Sequence, residues 1–146
     1  MRDQAPDIPG AGAVVAWFGY WPTFHDAEVT SIFLDRSGPS RVVVRTWHTT
    51  PQLGGQVYFV PTKHAIVTFR MEEFIEPSNE ESNPRIENFN LQNVLSCALV
   101  KKTPDGYKLV LDGIYGVDAM FHIARMSVEL VPGFPADNQY ANKLTK

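Results

Sequence analysis

Apolar and polar residues alternate over much of this chain, and alternation is the signature of a half-buried strand. Between 64 and 74, Ala65, Val67, Phe69 and Met71 fall on one face. His64, Thr68 and Arg70 fall on the other, with Ile66 the exception. Between 107 and 112, Tyr107, Leu109 and Leu111 oppose Lys108, Val110 and Asp112. The run 119–131 reads as one long final strand. Met120, His122, Ala124, Met126, Val128 and Leu130 share a face, and Phe121, Ile123, Arg125, Ser127 and Glu129 share the other. Pro132-Gly133 stops it.

Turn chemistry divides these runs. Thr103-Pro104-Asp105-Gly106 marks a hairpin between an apolar-centred strand at 92–102 and the strand at 107–112. Gly113 to Gly116 breaks the chain again. Ser37-Gly38-Pro39-Ser40 joins strands expected at 28–35 and 41–48 into an earlier hairpin. Pro51 and Gly54-Gly55 place a loop at 49–55, followed by a short strand at 56–60 that Pro61 ends. A polar, acidic loop covers 76–84, and 85–90 is a short strand. Residues 11–18 read as two turns of helix, which Pro22 should end near Tyr20 or Trp21.

The expectation is a mainly β chain: six to eight antiparallel strands in a sandwich or a strongly curved sheet, with one short N-terminal helix. No strand–helix–strand alternation argues for a parallel sheet. A single domain over 1–146 is expected, with 1–10 a loose leader and 134–146 a polar tail.

Composition narrows the function classes. The chain has 146 residues, 13 basic and 16 acidic, for a formal charge of −3. Nucleic-acid binders concentrate positive charge in a patch or stripe, which this mixture lacks, so no nucleic-acid partner is expected. Cys97 is the one cysteine, which excludes an internal disulfide and any zinc site needing two cysteines. Residues 1–10 contain no apolar signal core, and no apolar run approaches the ~18 residues of a membrane span. A cytoplasmic location without membrane attachment is expected.

The segment Phe18-Gly19-Tyr20-Trp21-Pro22-Thr23-Phe24-His25-Asp26-Ala27-Glu28 is the densest in candidate chemistry. If 25–29 is extended, Asp26 and Glu28 point the same way, ~7 Å apart, with His25 opposed. One reading is a carboxylate pair with an imidazole, joined by His48 or His64 around a divalent metal. The plainer reading has the aromatics anchoring the core while His25 and Asp26 bond backbone at the helix-to-strand junction. The plainer reading is preferred, because adjacent strand residues diverge. A His-Asp phosphohydrolase would need further histidines and aspartates on helices. Cys97 sits in an apolar strand without the electropositive setting that activates a thiol. There is no Gly-x-Ser-x-Gly elbow, and Gly54-Gly55 leads to Gln56 and not into a phosphate loop. His122 reads as a satisfied core or edge histidine. No catalytic residue, metal ligand or cofactor is therefore assigned.

Residues 18–29, Phe-Gly-Tyr-Trp-Pro-Thr-Phe-His-Asp-Ala-Glu-Val, resemble the opening signature of the bacterial immunity protein 50 family. Lys63-His64-Ala65-Ile66-Val67-Thr68-Phe69, then Phe89-Asn90-Leu91-Gln92-Asn93-Val94-Leu95, then Tyr115-Gly116 are similar in order and spacing. The likeness spans roughly 15–131. It implies a compact β-rich protein that binds and neutralises a cognate polymorphic toxin, without enzymatic activity.

On that footing the expected function is non-catalytic protein binding, with a toxin as partner. Trp21, His25, Asp26 and Glu28 form the candidate segment. Trp47, Tyr58 and the acids Glu72, Glu73, Glu76, Glu80 and Glu81 are candidate contacts. The alternative is a small-ligand or metal-dependent enzyme centred on 24–28. A structural protein that self-associates through an edge strand is a third reading, and the residues leave the oligomeric state open.

Overall fold

The computed structural model describes residues 4–53, 57–76 and 82–133, with the backbone alone over 49–53 and 57–61. One short helix, α1 (Ala11–Phe18), precedes seven strands. These are β1 (Glu28–Phe33), β2 (Ser40–Leu53), β3 (Val57–Phe74), β4 (Arg85–Glu87), β5 (Val94–Thr103), β6 (Gly106–Tyr115) and β7 (Asp118–Pro132). Every pairing is antiparallel. The strand order is β3-β2-β1-β5-β6-β7-β4, and β3 also pairs with β7. That extra pairing turns the curved sheet into a closed ring of six strands, which removes its edges. Strand β4 extends the row of β3 alongside the start of β7.

Inward positions follow the alternation. Val42 and Val44 of β2, Val67, Phe69 and Met71 of β3, and Leu109 and Leu111 of β6 are all buried. Strand β7 departs from the expected pattern. Ala119, Phe121 and Ile123 face inward, and then Met126 and Val128 do. The facing changes at 124–125, opposite Glu73, whose φ of 62° bends β3. His122 and Met120 therefore lie on the outer side, away from Met126.

Several boundaries differ from the sequence reading. Helix α1 ends at Gly19 and not at Pro22. Gly19 adopts φ 87° and its amide donates to Val15 O at 2.7 Å, a left-handed cap that glycine adopts without strain. Residues 49–53 are strand and not loop, and Pro61 does not end the next strand. The leader is tied down from Asp7 onward. Ile8 is buried, Val128 N–H donates to Pro9 O (2.9 Å), and Tyr107 O–H donates to Asp7 O (3.0 Å). The expected polar tail at 134–146 lies outside the described residues. Among the described residues no helix is long and apolar enough to cross a membrane.

Candidate functional site

The distinctive segment at 18–29 is first of all the seam of the ring. Strands β1 and β5 share only the register pair Glu28↔Val94. The rest of the closure comes from the turn before β1. Asp26 N–H donates to Leu95 O, Leu95 N–H to Ala27 O, Val29 N–H to Asn93 O and Ala98 N–H to Thr23 O, all at 2.8–3.0 Å. Burial of aromatics fixes that turn. Trp21 is 5% and Phe24 1% exposed, and their rings meet edge-on at 5.8 Å. Phe24 packs in the same way on Phe69 at 5.5 Å. Trp21 is therefore a core anchor, as the plainer reading of this segment has it, and not a surface group of the candidate segment.

His25 and Asp26 occupy the two central positions of the turn closed by Ala27 N–H to Phe24 O. Both side chains are exposed, with His25 Nε2 3.5 Å from Asp26 Oδ1. His25 Nδ1 lies 3.1 Å from Ser96 O. A carbonyl only accepts, so Nδ1 carries the proton. Glu28 does not join them, because its carboxylate takes Arg45 Nη2 at 3.0 Å. The extended geometry that would align Asp26 with Glu28 is absent, since Asp26 has φ 66°.

A cleft of about 220 Å³ opens beside this turn, between it and β2. Trp21, Phe24 and the buried Thr46 contribute apolar and hydroxyl surface, and Tyr20, Trp47, His48, His25 and Asp26 also line it. Tyr20 Oη is hydrogen-bonded to His48 Nδ1 at 2.8 Å, across 28 residues of sequence. A bulge in β2–β3 shapes the far side: register moves from Thr46↔Ala65 to His48↔Thr62, so Trp47 alone faces Lys63 and His64. Bulges re-aim side chains in this way. The Trp47 ring lies 6.0 Å from His64, and the Arg45 guanidinium is 5.6 Å from its centroid. Burial, with Arg45 adding to it, holds the His64 imidazole below its ordinary pKa. His48 and His64 thus have separate ring partners, and the two-histidine site does not form. Among the described residues no three His, Cys, Asp or Glu side chains gather where a metal could be held.

The acidic group is not a free patch. Glu72 and Glu73 belong to β3 and are bridged by Arg125, at 3.4 and 2.7 Å, with Arg70 on Glu72 at 3.3 Å. Glu76 is exposed, while Glu80 and Glu81 lie outside the described residues, as does the Tyr58 side chain. Cys97 is half-buried on β5, less enclosed than expected. His122 Nε2 meets Asp105 (3.0 Å) and Thr103 (3.2 Å), a satisfied histidine on the outer face. Thr103, His122 and the backbone together keep the Asp105 carboxyl below its usual range, the Thr103 hydroxyl most of all.

Beyond the cleft, β2 and β3 keep pairing from Thr49↔Pro61 to Leu53↔Val57. The partner β1 leaves β2 at Arg45, and β7 leaves β3 at Ala65. These five residues of each strand, about 17 Å at roughly 3.4 Å per residue, form a two-stranded arm with no third strand paired to it among the described residues. Sequence reasoning missed both the arm and the Tyr20–His48 and Glu28–Arg45 pairs. No local spacing signals contacts between residues so far apart. No family model, curated protein or solved structure matches the chain.

Proposed function

We propose that this chain is a non-catalytic protein-binding domain that neutralises a toxin by covering its active surface. The observation that carries the reading is the arm. A two-stranded ribbon is marginal alone in water, and its outer edges hold backbone groups that a partner strand can pair. Strand β3 opens with Val57-Tyr58-Phe59-Val60, residue types that favour recognition by strand addition. The cleft with Trp47 lies at the arm's base. The resemblance of residues 18–29 to an immunity family agrees with this reading and suggests the class of partner.

The test is co-purification with a toxin domain encoded beside the gene. A parallel variant has residues 49–61 replaced by Asn-Gly, which joins the paired residues His48 and Thr62 through a two-residue hairpin turn. The intact protein is expected to form a complex at about micromolar concentration, and the shortened one to stay folded and lose it. No complex with the intact protein counts against toxin binding. Full binding by the shortened protein moves the interface off the arm.

A second reading, a small-ligand or metal-dependent enzyme on 24–28, has one supporting observation: His25 and Asp26 both line the cleft. Against it stands Glu28, which is committed to Arg45. Metal content after purification without chelator separates the two readings.

A further inference from the structure

We infer that the cleft between the 20–26 turn and β2 is a receptor for a guanidinium group, an arginine side chain presented by the protein partner. The inference rests on the protein-binding reading for its partner, but the cleft's own preference is tested separately.

The chemistry of the walls selects the ligand. Tyr20 and Trp47 contribute aromatic rings to the lining, and aromatic rings attract cations through their quadrupole. Among the described residues, no lysine or arginine lines the cleft, and Asp26 is the one acid that does. Its carboxylate stands exposed at the rim, so a planar ion can reach it from solvent. A carboxylate beside flat aromatic surface suits guanidinium, which donates paired hydrogen bonds in its plane and stacks through its faces. An anion would meet Asp26, and a purely apolar group would cover the Asp26 carboxylate and the Thr46 hydroxyl without offering either a hydrogen bond.

The fold already contains the same recognition once. Arg45 lies with its guanidinium 5.6 Å from the Trp47 ring centroid, and Glu28 holds it at 3.0 Å. Glu28 also offsets the Arg45 charge, which would otherwise repel a second cation near Trp47. His25 is the competing group, at 3.5 Å from Asp26. An incoming guanidinium replaces that longer contact with direct hydrogen bonds. The Asp26 backbone is independent of its carboxylate, since the seam uses its amide. The side chain is therefore available for binding.

The probe is N-methylguanidinium, titrated into the full-length protein while the indole N–H resonances of Trp17, Trp21 and Trp47 are followed by NMR. A saturable shift centred on Trp47 is expected, with a dissociation constant on the order of millimolar. The neutral isostere N-methylurea should give no saturable shift. Asp26→Asn keeps the size of the side chain and tolerates positive φ, so it should preserve the spectrum while weakening binding about tenfold or more. Tyr20→Phe should leave binding dependent on Asp26. An equal response to methylurea, saturable binding unchanged in Asp26→Asn, or shifts centred on Trp17 would overturn the inference. A partner complex that forms normally with Asp26→Asn, alongside a positive methylguanidinium titration, would leave the cleft a guanidinium receptor but remove arginine capture from complex formation. Loss of the partner reading with a positive titration is distinguishable in the same way.

Discussion

Phe24 and Asp26 both take positive φ, 65° and 66°, within three residues. Aspartate tolerates that region; for phenylalanine it is a true outlier. The strain costs of order 1–3 kcal/mol, and burial of the Phe24 ring returns up to about 3 kcal/mol, so packing on Phe69 decides the conformation. No comparable burial holds Asp26. Replacing it with glycine should raise stability by about 0.5–1 kcal/mol, read from the urea midpoint. A less stable glycine variant would show that the carboxylate holds the turn. His64 offers a second test. Its folded pKa lies below the ordinary 6.5, so the unfolded chain binds more protons between the two values. The associated stability is fully present above the ordinary value and is lost as pH falls through the folded one. Midpoints measured from about pH 7.5 to 5 should therefore fall less steeply for His64→Gln than for the parent. Parallel slopes would refute this.

At the scale of elements, the arm and the ring differ in what supports them. Ring amides such as Val29, Leu95 and Val128 lie between elements that pack on one shared core, so their exchange with solvent should require global opening. Among the described residues, amides at 49–53 and 57–61 have one paired neighbour strand and should exchange by local opening, at least about a hundredfold faster. Equal protection would mean that something else covers the arm. The arm was illegible beforehand because Pro51, Pro61 and Gly54-Gly55 are loop residues by local preference. Proline is tolerated where its nitrogen faces away from the ladder, and a ribbon with two outer edges supplies such positions. Residues 64–74 and 107–112 were legible because their environment repeats every two residues. Strand β7 was half legible: its extent was clear, but the change of facing at 124–125 depends on the bend of β3 opposite.

For the whole molecule, closure matters most. The ring closes through the β3–β7 pairing and at a narrow seam formed by residues 23–29, and the N-terminal residues lie on β7. Deleting 1–9 would expose Val128 N–H and remove the Ile8 contact. A loss of about 2–3 kcal/mol is expected, measured by denaturant unfolding. A change under about 0.5 kcal/mol would show that these residues only rest on the surface.

Periodicity along the chain was enough to establish a mainly antiparallel β protein with one short helix. Facing is a local property, and each strand carries its own record of which side meets the core. The ring closure, the arm and the cleft came only from the tertiary structure. Each joins groups distant in sequence, such as Tyr20 with His48 or Asp26 with Leu95. The free energy of such contacts depends on the register of strands between them, which no local pattern encodes.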